Sequence, residues 1–304
     1  MLTRRRLLAM RQLGGGGVAA IPALTLTATT TGASQSVTLN RMTPADGKTL
    51  TVSWGDGSAD TTINAGDVTS KAHTYDDAGT YPITVTDALD IVQIDLRDAR
   101  LSGFKSAELA DSAITNFTVF SLGSAVASVV SSADMAAWPM TGYWQLHSMP
   151  AGTYTIDTQH MASWSITRFY LHSMPAGTYT INSSHLAGMA LNYWWSSDMP
   201  AGTTFVLSAA NFAGFTAPTY FRLDNNGLLQ AQVDAILTGL YQAFPGKTST
   251  GGQLLIGGNN AAPSGTFQAP AGCPPTDGKE IAYELLNDTC DISTKHWATV
   301  TITA

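Results

Sequence analysis

The chain has 304 residues, 44% of them hydrophobic, enough to bury two cores or one long array of repeats. Only 12% are charged, about half the usual share, so Ser, Thr, Asn, Gln and Gly must supply the polar surface, a bias of secreted, cell-surface and virion β proteins rather than cytosolic enzymes. A net charge of −7, with basic residues scattered beyond the N-terminus, argues against nucleic acid as a partner, and no run of 18 apolar residues offers a membrane span.

Residues 1–23 read as a basic, glycine-rich arm or a signal. Thr3-Arg4-Arg5-Arg6-Leu7-Leu8 is similar to a twin-arginine export signal, although Arg11 and Gly14 to Gly17 interrupt the apolar run that should follow. The alternative is an arm that docks on other virion proteins.

Residues 24–88 read as short strands and turns. Ser36-Val37-Thr38-Leu39 and Thr49-Leu50-Thr51-Val52 alternate as half-buried strands do, with Asp46-Gly47 as a hairpin turn between them. Gly55-Asp56-Gly57-Ser58 is a second tight turn. Tyr81 to Thr86 is a closing strand, and Pro82 points to an edge position. Trp54-Gly55-Asp56-Gly57-Ser58, His73-Thr74-Tyr75 and Gly79 to Thr86 together resemble a polycystic-kidney-disease (PKD) type domain over about 60 residues. That resemblance implies an immunoglobulin-like β-sandwich, of a family found in extracellular and phage proteins, acting as spacer or adhesion module. The structural reading of Asp56 is a turn carboxylate that caps nearby N–H groups, and an acid–base role with His73 is the rival.

Residues 89–250 carry a repeat. His147-Ser148-Met149-Pro150-Ala151-Gly152-Thr153-Tyr154-Thr155-Ile156 returns at 172–181 and, degraded, at 197–206, so the prolines fall at 150, 175 and 200. A fixed period of 25 predicts stacked coils, each burying its apolar face on the next. Within a coil, an aromatic strand (Tyr143 to Leu146, Arg168 to Leu171, Tyr193 to Ser196) precedes the Met-Pro-Ala-Gly turn. A Thr-rich strand and a helix-like turn (His160-Met161-Ala162, His185 to Gly188, Asn211 to Gly214) complete it. Ile91 to Leu96 and Phe117 to Leu122 extend the pattern upstream. Val233, Ile236, Leu237 and Leu240 predict a helix over 230–241. Leu223-Asp224-Asn225-Asn226-Gly227-Leu228 looks like the ladder of leucine-rich repeats, and the array resembles divergent leucine-rich repeat proteins of bacterial surfaces and phages. A parallel β-helix is the rival, whose coils would carry no such helix.

Residues 251–304 read as a C-terminal cap, with a last repeat strand near Leu254, a helix over Thr276 to Leu286 and a strand over Trp297 to Thr303. This tail is similar to C-terminal segments of phage and metagenomic repeat proteins. Cys273 and Cys290 are either unpaired thiols or a disulfide closing a loop of about 18 residues, worth about 3 kcal/mol. The expected fold class is therefore mainly β, a sandwich plus a leucine-rich-repeat-like solenoid of about 25-residue coils with a cap.

Strand alternation places Trp144/Leu146, Phe169/Leu171, Trp194/Ser196 and Phe221/Leu223 inside. The open sheet face then carries Tyr143, Gln145 and His147; Arg168, Tyr170 and His172; Tyr193, Trp195 and Ser197; Tyr220, Arg222 and Asp224. Aromatic faces stack on sugar rings or anchor a protein partner, and the competing reading is that these rings merely stiffen the sheet. His147/His172 and His160/His185 recur 25 apart, but carboxylates and cysteines are missing from those positions, so no metal and no cofactor are expected.

No Gly-x-Ser-x-Gly elbow, phosphate loop or His-Glu-x-x-His is present, so no enzyme is expected. Asp157, Asp198 and Asp224 are the acids a polysaccharide-degrading tail spike would use. The expected function is a non-catalytic structural or receptor-binding protein of a phage virion (tail, fibre or capsid decoration) facing host-surface glycan or protein. An exported bacterial adhesin, secreted or at the cell surface, is the alternative. A homo-oligomer fits a fibre, but nothing in the sequence encodes a trimer seam.

Overall fold

The structure, a computed structural model, describes residues 23–212, 220–243, 252–290 and 297–304. Residues 1–22 of the expected signal or arm, and Ala213-Gly214 of the third helical turn, lie outside the described residues, while Ala23 begins the first strand. Strand outweighs helix by 36% to 18%, so the chain is mainly β, with several sheets and none closed.

The first segment holds β1 (Ala23–Thr30), β2 (Gln35–Leu39), β3 (Arg41–Pro44), β4 (Thr49–Ser53), β5 (Thr61–Asn64), β6 (Lys71–Tyr75) and β7 (Gly79–Thr86). β5, β4, β7 and β1 pair antiparallel in that order, and β2 pairs with β6. β1 alternates strictly, burying Leu24, Leu26, Ala28 and Thr30 while Thr25, Thr27 and Thr29 are half-buried. Leu24, Val37, Leu50, Val52, Ile83 and Val85 belong to one core. Tyr75 at the end of β6 donates its hydroxyl to the carbonyl of Trp54 just after β4 (2.9 Å), which ties the two sheets together.

Two sequence expectations are corrected here. Asp46-Gly47 does turn the chain, with Lys48 N–H donating to the Ala45 carbonyl (3.0 Å) and Gly47 at φ 71°. It is not a hairpin between β2 and β4, because those strands lie in different sheets and β3 intervenes. A turn signal reports a reversal and carries no information about which sheet each arm joins. β7 is also not an edge strand, since it lies between β4 and β1. The β4 ladder stops at Ser53 opposite Thr84, so Pro82 sits two residues beyond the last rung and is one-sided only locally. There Gly55 approaches it: a Cβ would lie 2.3 Å from the Pro82 carbonyl oxygen, and φ is +80°.

The remaining strands are β8 (Ile91–Leu96), β9 (Leu101–Ser102), β10 (Asn116–Phe120), β11 (Ser128–Ser131), β12 (Tyr143–His147), β13 (Gly152–Asp157), β14 (Arg168–His172), β15 (Thr178–Asn182), β16 (Tyr193–Trp195), β17 (Thr204–Val206), β18 (Tyr220–Arg222), β19 (Gln253–Leu255) and β20 (Thr299–Thr301). β9 extends the first sheet alongside β1. β8, β10, β12, β14, β16, β18, β19 and β20 form one parallel ladder, closed at the β8 side by antiparallel β3. β11, β13, β15 and β17 form a second parallel sheet. Tyr143, Arg168, Tyr193, Tyr220, Gln253 and Thr299 stand in register. The spacing is 25 for the first three and lengthens afterwards, where the helices Gln230–Ala243 and Gly278–Asn287 are inserted.

The same backbone solution recurs after four successive strands of the long ladder, β12, β14, β16 and β18. Ser148, Ser173, Asp198 and Asn225 adopt the left-handed conformation (φ 50–58°). Their N–H groups donate to the carbonyls of His172, Ser197, Asp224 and Gly257 in the next repeat (3.0–3.3 Å), which offsets the cost of that conformation. Met149, Met174 and Met199 then bury themselves in the core. Between the two parallel sheets the rings of Phe117, Trp144, Phe169, Trp194 and Phe221 follow one another at 5.2–6.2 Å.

Buried hydroxyls clip the second sheet to the helical turns. Ser132, Thr158 and Ser183 are fully buried. Each accepts a backbone N–H from the next repeat (Asp157, Asn182 and Ser208; 2.8–3.1 Å) and donates to a carbonyl there. His160 Nδ1, His185 Nδ1 and Asn211 Nδ2 complete the three hydroxyls at 2.9, 3.2 and 3.0 Å. Two asparagines do the equivalent work later. Asn226 donates to the carbonyls of Ser196 and Leu223 (2.6 and 2.8 Å), and Asn260 to those of Leu223 and Ile256 (2.9 and 2.8 Å). Cys273 and Cys290 are joined by a disulfide that brackets the helix Gly278–Asn287, whose first turn is capped by Asp277.

Candidate functional site

The outward side of the long ladder follows from strand alternation. Trp144, Leu146, Phe169, Leu171, Trp194, Ser196, Phe221 and Leu223 are fully buried, as the sequence pattern predicts. Their neighbours form rows across the strands at the usual spacing of about 4.8 Å. One row is Tyr143, Arg168, Tyr193 and Tyr220, and the next is Gln145, Tyr170, Trp195 and Arg222. His147 and His172 begin a third. Arg168 is exposed, while Tyr143, Gln145, His147, Tyr170, Tyr193, Trp195, Tyr220, Arg222 and Asp224 are half-buried.

Two residues expected on this face are instead buried. His172 is only 5% exposed because its ring is clamped between His147 (centroids 4.3 Å, 14°) and Trp195 (3.8 Å, 7°). Ser197 has no exposure. It accepts from Trp195 Nε1 (2.6 Å) and donates to Asp198 Oδ2 (2.8 Å). Both residues position the Trp195 ring and are not contact surfaces.

The sequence reading missed the far end of this stack. Phe120 lies on His147 at 4.2 Å, so Phe120, His147, His172 and Trp195 form one continuous pile of rings. The Arg97 guanidinium covers its Phe120 end (5.6 Å) and Arg222 its Trp195 end (4.8 Å). Each arginine is held by an aspartate two residues away on the same face. Arg97 binds Asp95, and Arg222 donates Nε and Nη2 to Asp224 (2.5 and 3.0 Å). Phe120 precedes His147 by 27 residues, not 25, so a search at the fixed period passes over it.

Burial holds both stacked histidines neutral at pH 7. It pulls His147 down to about 4, and with the neighbouring His147 and Arg222 it pulls His172 down to about 3. The Asp224 carboxylate raises the Arg222 guanidinium further. Burial also raises the Tyr170 hydroxyl. The imidazoles of His147 and His172 face one another and do not converge on a point. Among the described residues no group of three or more His, Cys, Asp or Glu side chains could hold a metal.

Of the three candidate acids, Asp198 and Asp224 are neighbours that share the Asn225 amide, and Asp157 stands apart. Asp157 caps the Gln159 N–H (2.8 Å) at the end of β13, in the other sheet. Asp224 is engaged by Arg222. Asp198 accepts from Ser197 and from Asn225 Nδ2 (2.9 Å), and the same amide reaches Asp224 at 3.5 Å. In the first segment, Asp56 accepts from the Ser58 N–H (3.0 Å) and hydroxyl (2.6 Å) and pairs with His73 Nε2 (2.6 Å). Ser58 above all, then His73, holds the Asp56 carboxyl well below the usual range. The His73 ring lies flat on Trp54 (4.9 Å), so Asp56 acts as a turn cap that also fixes that ring.

The outward face is thus a wall of rings interleaved with guanidinium groups, suited to holding a ligand by stacking and hydrogen bonding. Comparison of the chain with protein-family models, with curated proteins and with solved structures finds no match.

Proposed function

We propose that this chain is a non-catalytic display protein of a phage particle, a tail, fibre or capsid-decoration component whose aromatic face binds host-surface glycan or protein. The observation that carries the reading is the face itself. Tyr170, Tyr193, Trp195 and Tyr220 are only half-buried although they sit on adjacent strands of a rigid parallel ladder. Rings left partly wet on a stiff backbone are binding anchors with little ordering entropy left to lose.

The finer architecture proposed is a PKD-like sandwich leading into a leucine-rich-repeat-like solenoid with a C-terminal cap. The Asp56 turn and the Tyr75 hydroxyl bond support the first part. Support for the second comes from parallel in-register strands, the buried Asn226 and Asn260 amides, and a helix at Gln230–Ala243 that a plain β-helix coil would lack. The solenoid serves as a ruler that spaces the rings. An exported adhesin is the second reading. The Cys273–Cys290 disulfide favours it, because such bonds persist in oxidising compartments, as does the arginine-rich start. A polysaccharide-degrading role is disfavoured by the ion pair that occupies Asp224.

The test uses a glycan array of bacterial surface polysaccharides together with whole host cells. The wild-type chain is expected to bind, and the variant Tyr170→Ala/Trp195→Ala to lose binding while its circular dichroism is unchanged. Undiminished binding by that variant refutes the site. Intact-mass analysis separates the two settings: a retained Met1 region fits the particle, and loss of about 30 residues fits export.

A further inference from the structure

The three arginines of the long ladder's outward side are not equivalent. Arg97 and Arg222 each have a same-strand or adjoining aspartate as partner, Asp95 and Asp224. At Arg168 the residue two positions on is Tyr170, and among the described residues no carboxylate pairs with it. Arg168 is also the exposed member of the predicted face. Its guanidinium lies 4.9 Å above the Tyr193 ring. Stacking uses the flat side of the group and leaves its in-plane N–H donors free. The Arg168 charge also acts on the Tyr170 hydroxyl, two residues further along the same strand. The locality is therefore rich in aromatic faces, and of its two cations Arg222 is matched by Asp224 while Arg168 has no carboxylate among the described residues.

Resting on the glycan-face reading above, we propose that Arg168 makes this face selective for saccharides that carry a carboxylate, with the sugar ring stacked on the neighbouring aromatics and the acid group held by the guanidinium. A planar carboxylate matches the guanidinium fork in a two-point, charge-assisted hydrogen bond, which a neutral hydroxyl cannot reproduce. Uronic and sialic-type acids share this chemistry, and the probes separate them.

Binding of the full chain is measured by calorimetry with hyaluronan tetrasaccharide (a uronate), 3′-sialyllactose (a sialic acid), and neutral cellotetraose and lactose. At least one acidic probe is expected to bind about tenfold tighter than both neutral ones. Arg168→Gln is expected to abolish the preference for that acidic probe, lowering its binding about tenfold more than that of the neutral probes, and Arg168→Lys to fall between, since it keeps the charge and loses the fork. Equal wild-type affinity for acidic and neutral probes overturns the carboxylate selection and leaves the glycan face standing. An Arg168→Gln loss that is equal for both classes also overturns it. If no saccharide binds at all, the glycan face fails and the selection with it.

Discussion

Acid should loosen the ring stack, and the size of the effect can be worked from its two histidines. Folded, His147 and His172 have pKa values drawn down to about 4 and about 3 by burial. Unfolded, each returns to about 6.5. The folded values are the lower ones, so between them and 6.5 the unfolded chain binds more protons. Stability is then complete above about pH 7 and falls as the pH drops through 6.5. At pH 5 both folded imidazoles are still neutral, and the loss per histidine is set by the unfolded value alone, about 2 kcal/mol, or about 4 kcal/mol for the pair relative to pH 8. His172→Phe keeps a ring between His147 and Trp195 and removes the buried Nε2, which has no hydrogen-bond partner. The variant should match the wild type at pH 8 to within about 1 kcal/mol, and should lose about 2 kcal/mol less on going to pH 5. Urea unfolding followed by tryptophan fluorescence at the two pH values reads both numbers, with Trp195 as a local reporter. The same pH 8 to pH 5 difference in variant and wild type would show that His172 is not held neutral by the stack, and the reasoning fails.

The clip between repeats predicts a cost without any change of shape. Thr158→Val leaves the Asn182 N–H and the His185 ring nitrogen without their partner, and should destabilise by about 2–3 kcal/mol in urea, whereas Thr158→Ser should cost under about 1 kcal/mol. Equal losses in the two variants would mean that the hydroxyl is not the source. The disulfide closes a 17-residue separation, so Cys273→Ser/Cys290→Ser should lower stability by about 3 kcal/mol and raise amide exchange first in the helix Gly278–Asn287. Exchange unchanged in that helix counts against the bond as its brace.

Much of this organisation is legible in the residues. The recurrence of Met-Pro-Ala-Gly marks one turn per repeat, and the alternation about Trp144, Phe169 and Trp194 marks which side is buried. Both are local properties of a strand, so they survive without knowledge of neighbours. The helix at Gln230–Ala243 is likewise visible through its apolar spacing, and the helix read over Thr276 to Leu286 is found at Gly278–Asn287.

Other features depend on partners far apart in sequence. The partner of β2 is β6 and the partner of β3 is β8, and neither choice is written in the Asp46-Gly47 turn. His172 looks like any outward histidine of its strand. It is buried because Trp195 leans across from the next repeat and Phe120 and His147 extend the pile, which no single strand encodes. Period and alternation come from the chain itself, because backbone geometry repeats with every residue. Strand partners, the burial of His172 and the unmatched charge of Arg168 are decided only when repeats lie side by side, because exposure and pairing belong to the packed surface.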